Sequence, residues 1–417
     1  MGFRQWLSSW RASPQASVQS SGPGRAITTS AELDAFLREG NETASGQVVT
    51  PEIALRIAAV YRCVAIIAGA VATMPIHIKR RVDARTREDV DGHPAGILMR
   101  RRPNAWMTAS AFRRMMTAHV LLRGNAYAVI VRSAGKPIDL IPIHPDRVIV
   151  EQADDLAVRY IYQRKDGRRV LIDQSDMLHL LGMTFDGVRG VSPIQYARET
   201  IGFALATQRH GATLFKNGTQ IGAVLKHPKA LGNERIETLR AGLEKFRGGD
   251  NAHKTMILEE GMEFSPIGMT AEDAQYIETM KYSRSDIAMF MGVPPHMIGD
   301  TEKSTSWGSG IEQQHIGFLA YTLEDWLTSW EETIGRALIV EPDHFARFNR
   351  AALVRSDIKT RYGAYQIGRT GGWLSANDIR AAEDMNPIEG GDTYLEPLNM
   401  QPADANTRPQ ADPEPTA

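Results

Sequence analysis

The sequence predicts an α+β protein, and three patterns carry that expectation. Short alternating stretches separated by turn residues fill 126–182. Two long helical patterns, 192–216 and 271–291, enclose a small mixed segment. A still longer helical pattern, 311–338, follows a polar stretch at 300–310. Strands gathered in one region and helices in others point to segregated α+β layers with an antiparallel sheet of meander type.

The chain opens on MGFRQWLSSW, which puts Phe3, Trp6, Leu7 and Trp10 on one helical face. That is the pattern of a short docking helix on this or a neighbouring subunit, with a membrane-surface helix as the alternative. Residues 11–30 are rich in Ser, Gly, Ala and Pro, so 1–47 reads as a flexible arm. Order is expected near Thr50, a good N-cap, with Pro51 at the first helical position and Glu52 at the positive helix end. Ile53, Ile57, Val60, Val64 and Ile67 then recur at helical spacing until Pro75. A second helix is expected over about 110–122, with Gly124 as its stop.

Strands are expected at 126–132, 138–143, 147–151, 158–164, 168–173 and 177–182. Asp166-Gly167 between the fourth and fifth gives the clearest hairpin. Ser192 and Pro193 open the first long helix. A strand at 222–228, a helix at 233–246 and two strands within 254–268 follow. The second long helix, about 271–291, stops at Gly292-Val293-Pro294-Pro295. Beyond Pro342 the pattern is helical to about 395, and the proline-rich 396–417 reads as a disordered tail.

The chain has 417 residues, with 48 Lys+Arg against 49 Asp+Glu. A formal net charge of −1 excludes a generally basic nucleic-acid binder, though not a local contact. The single cysteine, Cys63, excludes an intrachain disulfide and a Cys-rich zinc site, and suits an intracellular chain. The uncharged stretch from Cys63 to Ile78 is shorter than the ~20 residues a bilayer span needs, so no membrane span is expected.

The chemistry-bearing patterns are mostly missing. The eleven histidines form no HExxH, and neither GxxxxGK[ST] nor GxGxxG occurs. Gly190-Val191-Ser192 lacks the second glycine of a nucleophile elbow. Glu259/Glu260, Glu324/Asp325 and Glu331/Glu332 read as solvated faces, and Arg100–Arg102 with Arg113 and Arg114 as a surface patch or phosphate contact. No enzyme, metal or cofactor is expected, and the residues alone point to a structural or assembly role.

Five blocks go further. They are VVTPEIALRIAAVYRCVAIIAGAVATMPIHIKRR (48–81), RPNAWMTASAFRRMMTAHVLLRGNAYAVIVR (102–132), DMLHLLGMTFDGVRGVSPIQYARETIG (176–202), ILEEGMEFSPIGMTAEDAQYIETMKYSRSDIAMFMGVPPHMIGD (257–300) and NDIRAAEDMNPIEGGD (377–392). In this order they resemble the portal proteins of tailed double-stranded DNA bacteriophages, of the long-tailed lambdoid type also found in prophages and gene transfer agents. The resemblance covers about 48–395.

The resemblance implies a ring, usually dodecameric, at one capsid vertex of a virion assembled in the bacterial cytoplasm. Double-stranded DNA would pass through its channel during packaging and ejection. Its partners would be other copies of itself, the large terminase, a head–tail adaptor and the major capsid protein. By position, 48–190 resembles the wing, 191–217 and 271–292 the two stem helices, and 218–270 the clip. Residues 293–340 resemble the tunnel loop and long wing helix, and 341–395 a small crown. The implied DNA-channel residues are Thr301, Glu302, Lys303, Ser304, Thr305, Ser306, Trp307 and Gly308. Those implied for subunit, terminase or adaptor contact in the clip are Val224, Lys226, His227, Lys229, Arg240, Lys245 and Arg247.

The residues agree with a conduit. Many cations lining a channel would hold phosphates and stall the strand. The segment 300–310 has Lys303 as its only cation, beside Asp300 and Glu302, with hydroxyls at Ser304, Thr305, Ser306 and Ser309. Lys303 would make transient phosphate contacts, and Trp307 would pack on an adjacent subunit or the loop base. An ordinary exposed connection is the alternative. A strand at 222–228 has little local core, and a ring would satisfy its edge by closure. The competing classes are another ring-forming connector and an enzyme acting on nucleic acid. A missing P-loop and acidic metal cluster argue against the second.

Overall fold

Thr50 does cap the first helix: its hydroxyl accepts from the Ile53 amide at 3.3 Å, and Pro51 follows at the first helical position. The computed structural model describes residues 43–216, 223–227, 232, 235–239, 261–266, 271–300, 309–350, 358–383 and 385–395. The chain divides between Asn349 and Arg350 into two units.

The expected continuous helix from Thr50 is two helices. α1 (Pro51–Ala54) closes on tight turns, and Ile57 adopts an extended conformation before α2 (Ala58–Thr73). The break leaves the apolar positions where periodicity placed them: Ile57, Val60, Val64 and Ile67 are all buried. Met74 and Pro75 end α2, and β1 (Ile76–Arg81) follows. β1 pairs with β2 (Arg87–Asp89) and, antiparallel, with β11 (His344–Phe348), in the register Ile76↔Phe348. The stretch after Pro342, expected to be helical, therefore begins with a strand of the first unit's sheet. Its partner lies more than 250 positions upstream, beyond the reach of local periodicity.

α3 (Pro94–Arg100) was not apparent from periodicity. It is short, and its cap is His93, whose Nδ1 accepts from the Ala95 amide at 3.1 Å. α4 (Ala109–Arg123) matches expectation, with Thr108 as N-cap and Gly124 left-handed at φ 77°. It packs along α2.

The expected single meander is two three-stranded sheets. β3 (Asn125–Ser133) and β4 (Lys136–Ile143) form a hairpin, and β8 (Met177–Leu181) returns to the other edge of β3. β5 (Val148–Gln152), β6 (Val158–Gln163) and β7 (Arg169–Asp173) form the second sheet, with the predicted 158–173 hairpin inside it. The sheets share a core of Tyr127, Val129, Ile143, Val150, Tyr160, Ile172 and Met177. The Gly124 and Gly190 backbones meet so closely that a Cβ on either would overlap the other's segment.

Ser192 joins this base to the next element: its hydroxyl donates to the Leu122 carbonyl at 2.8 Å and caps α5 (Pro193–Tyr196). Ala197 interrupts the expected helix, and α6 (Arg198–Lys216) continues it. β9 (Ala223–Lys226) pairs antiparallel with β10 (Glu263–Pro266), and 235–239 is helical. The expected strand positions 254–260 lie outside the described residues.

α7 (Ala271–Phe290) packs against α6. A 3₁₀ turn (Pro295–Ile298) follows. Then α8 (Ser309–Phe318), a π-helical turn (Leu319–Leu323) and α9 (Glu324–Leu338) run as one helix. Leu327, Trp330, Ile334 and Leu338 bury its inner face. Glu331 lies on that face rather than in solvent. Its carboxylate is buried and accepts from the Phe348 amide at 2.7 Å and from Arg347 at 3.1 Å, fixing α9 to β11.

In the second unit, α10 (Ile358–Thr370) and α11 (Ala376–Ala382) pack with the segment that follows them. Ser375 and Asp378 form a reciprocal capping box at α11. Glu383 accepts from Tyr365 and Arg361, and Asn377 bonds the backbone of Ile388.

Candidate functional site

The geometry singles out the place where α7 ends and the α8–α9 helix begins, because both ends of the polar segment 300–310 are rooted there. Pro294-Pro295 cannot extend α7, and Gly292 (φ 68°) and Gly299 (φ 88°) supply left-handed turns around them. The chain folds back so that the Asp300 amide donates to the Pro295 carbonyl at 3.0 Å. The Asp300 carboxylate accepts from the Ser285 hydroxyl on α7, also at 3.0 Å. Asp300, the first residue of the polar segment, is thus anchored to α7 and to the turn before it.

Two further bonds fix the root to the base. Thr322, in the π turn, donates to the Gly292 carbonyl at 2.6 Å. Arg62 on α2 donates to the Met297 carbonyl at 3.4 Å. The His296 and His315 rings lie 5.1 Å apart, and burial first, then the neighbouring imidazole, lowers the His296 pKa below its ordinary value. Ile287, Ala288 and Val293 are buried beneath the turn. The arrangement holds the chain on either side of the polar segment 301–308. Among the described residues, no group of three His, Cys, Asp or Glu side chains could hold a metal ion, and no helix is long and apolar enough to cross a membrane.

Thr301, Glu302, Lys303, Ser304, Thr305, Ser306, Trp307 and Gly308 lie outside the described residues. Of the clip positions, Val224 and Lys226 fall on β9, opposite Ser265 and Glu263 of β10. Opposite charges directly across a ladder favour this register. His227 follows, half-buried. Lys229, Arg240, Lys245 and Arg247 lie outside the described residues, as do Phe3, Trp6, Leu7 and Trp10.

The arginine run separates into different roles. Arg100 pairs with Asp91 at 2.8 Å on the surface. Arg113 is buried and donates to the Met74 and Ala72 carbonyls, both at 2.7 Å, so phosphate contact is ruled out for it. It closes the C-terminal end of α2, where carbonyls lack intrahelical partners. Ser285, Gly292 and Thr322 escaped the sequence reading as a group. Only the Gly-Val-Pro-Pro punctuation hinted at them, because their proximity depends on a helix that returns after the loop.

The comparisons agree with this architecture. Residues 58–384 match the family model described as phage portal protein. The portal protein of Enterobacteria phage HK97 is 36% identical over 360 residues, covering 85% of this chain and 84% of its own. The probable portal protein of Streptomyces phage phiC31 is 33% identical over 377 residues, covering 87% and 82%. Among solved structures, the neck of an empty gene transfer agent particle superposes with a TM-score of 0.57 at 24% identity, covering 88% of this chain and 97% of that one. An HK97-family phage portal protein from Corynebacterium diphtheriae gives a TM-score of 0.50 at 19% identity, covering 80% and 99%. These structures share the fold. The family match across most of the chain and the two viral relatives settle the assignment: this chain belongs to the phage portal protein family, whose members are structural proteins and not enzymes.

Proposed function

We propose that the chain closes into a ring, dodecameric as is usual in the family, at one vertex of a phage or gene transfer agent capsid. Double-stranded DNA passes through its channel during packaging and ejection. In this reading 48–190 is the wing, 191–217 and 271–292 are the stem helices, and 218–270 is the clip. The clip docks the large terminase during packaging and the head–tail adaptor afterwards. The wing contacts the major capsid protein, 293–340 holds the tunnel loop and long wing helix, and 341–395 forms a small crown.

The observation that carries the reading is the rooted loop. Asp300 is tied to Ser285 on α7, and the helix beyond the loop is tied back through Thr322 to Gly292. A polar loop gripped at its ends and short of cations can follow a moving duplex without holding its phosphates. Within it, Lys303 makes passing phosphate contacts and Trp307 packs on the loop base or an adjacent subunit. In the clip, β9 and β10 form a two-stranded sheet among the described residues, the kind of small sheet that a neighbouring copy could extend.

Replacing 301–308 with an inert linker and measuring DNA packaged per head tests the channel role. Reduced packaging in heads that still contain the ring is expected. Undiminished packaging would remove the loop from the mechanism. Negative-stain images down the particle axis should show a ring with a wide wing and a narrow stem.

A further inference from the structure

We infer that residues 1–11 of this chain dock in a cleft between the loop 182–188 and helix α9. The cleft has a volume of about 720 Å³ and lies across the face of α9 that looks away from the core. Trp326 and Thr333 line one wall, and Met183 with the loop that follows it lines the other. Phe185 sits between the lining residues Thr184 and Gly187, and its ring meets Tyr196 edge-on at 6.3 Å. Met183, Phe185 and Tyr196 are 69%, 71% and 60% exposed. Met183 on the loop wall, the exposed Phe185–Tyr196 pair whose chain neighbours Thr184 and Pro193 line the cleft, and half-buried Trp326 leave apolar surface that calls for a cover.

The opening segment has the matching chemistry. Phe3, Trp6, Leu7 and Trp10 recur at the spacing of one helical face, the mode in which apolar anchors enter a groove. Arg4 and Arg11 are the segment's only charged side chains, and no Asp or Glu precedes Glu32. The cleft supplies the complement, with Asp325 and Glu332 on its α9 wall against one cation, Arg336.

The point of departure also fits. Thr43 is buried against Gly202, and the Ala44 amide donates to Glu199 at 3.0 Å, so the N-terminal segment starts out three positions from Tyr196. The tether 12–42 extends to at most ~100 Å, and as a coil it averages ~30 Å. It therefore reaches the cleft of its own chain or of a neighbour at a high effective concentration. The proposal does not depend on the channel reading, because it is tested on the purified full chain without packaging.

Cys63 gives a quiet background: it is fully buried, and burial pushes its thiol pKa up to about 12. The test joins Trp6→Cys to Thr333→Cys and follows disulfide formation under mild oxidation. Trp6→Cys with Lys165→Cys, at the tip of the β6–β7 hairpin, is the control. Bridging at least tenfold faster than the control is expected. A monomer-sized product assigns the segment to its own cleft, and a dimer or ladder assigns it to a neighbour's. Equal rates would overturn the proposal, as would capture of the segment by anionic lipid vesicles with bridging at the control rate. Trypsin gives a second readout that leaves the segment unaltered. Cleavage after Arg4 and Arg11 should be about tenfold faster in an Asp325→Lys, Glu332→Lys variant than in the natural chain, and identical rates would again overturn the docking.

Discussion

The hydroxyl of Thr322 donates to the carbonyl of Gly292 at 2.6 Å, across 30 positions of chain that contain the whole polar loop. Gly292 has φ 68°, and a Cβ there would lie 3.0 Å from the Thr322 oxygen. Thr322 itself stands in the π turn between α8 and α9, where one extra residue per turn offsets the helical register. An interrupted helix and a left-handed glycine are thus held together by one bond, which ties the helix that follows the polar segment to the turn that precedes it.

Thr322→Val should lower stability by about 1 kcal/mol through loss of this bond. Gly292→Ala should cost about 1–2 kcal/mol for left-handed backbone alone. Because both act on one contact, the double variant should cost less than their sum. Urea midpoints of the three variants check this. A Thr322→Val midpoint equal to the natural chain's would show that the contact contributes nothing. Thr322→Ser keeps the hydroxyl and should retain most of the stability.

Arg113→Met should cost about 3 kcal/mol or more. Methionine fills much of the volume, but the Met74 and Ala72 carbonyls lose their donor in a buried place. Burial lowers the Arg113 pKa to about 10, which leaves the guanidinium charged at neutral pH and able to serve both carbonyls. The Phe348 ring, 5.8 Å from the guanidinium carbon, adds a favourable face. Arg113→Lys carries one compact head in place of a fork and should rescue only part of the loss. A thermal melt distinguishes the two, and an unchanged melting temperature for Arg113→Met would refute the capping role.

The residues that act locally were legible in the sequence. Thr50 and Ser192 cap helices as expected, Gly124 closes α4, and the 158–173 hairpin forms in the expected place. Caps and tight turns are decided within a few positions, so the chain states them directly. The failures share another cause. β11 joins β1, β8 joins β3 instead of continuing from β7, and Glu331 turns inward to a strand amide. Each depends on a partner far along the chain, as does the meeting of Ser285 with Asp300 and of Gly292 with Thr322. At the candidate site the sequence therefore marked the polar loop and its prolines, and left its fastenings unseen.

Stability should fall as the solution is acidified below about pH 6.5, with His179 and His119 as two of the causes. His179 is buried between the strands. Asn125 Oδ1 accepts from its Nε2 at 3.0 Å, because that oxygen also receives the Gly190 amide, and Nδ1 then accepts from the Tyr160 hydroxyl at 3.1 Å. Both ring nitrogens are satisfied in the neutral form. Burial first, then the charge of Arg336, lowers its pKa to about 3. His119 is lowered to about 4, by burial and then by His144 and Arg123, with Asp146 opposing. Both folded values lie below the ordinary 6.5, so the unfolded chain binds more protons throughout the interval between. Their contribution is complete above pH 6.5 and is lost as pH falls toward the folded values. Each group should give a slope of about 1.4 kcal/mol per pH unit near the middle of that interval. His179→Gln should be less stable at pH 7, where the network is intact, yet lose less on acidification. Urea unfolding at pH 7, 6, 5 and 4.5 reads this directly, and a slope unchanged by the substitution would remove His179 from the account.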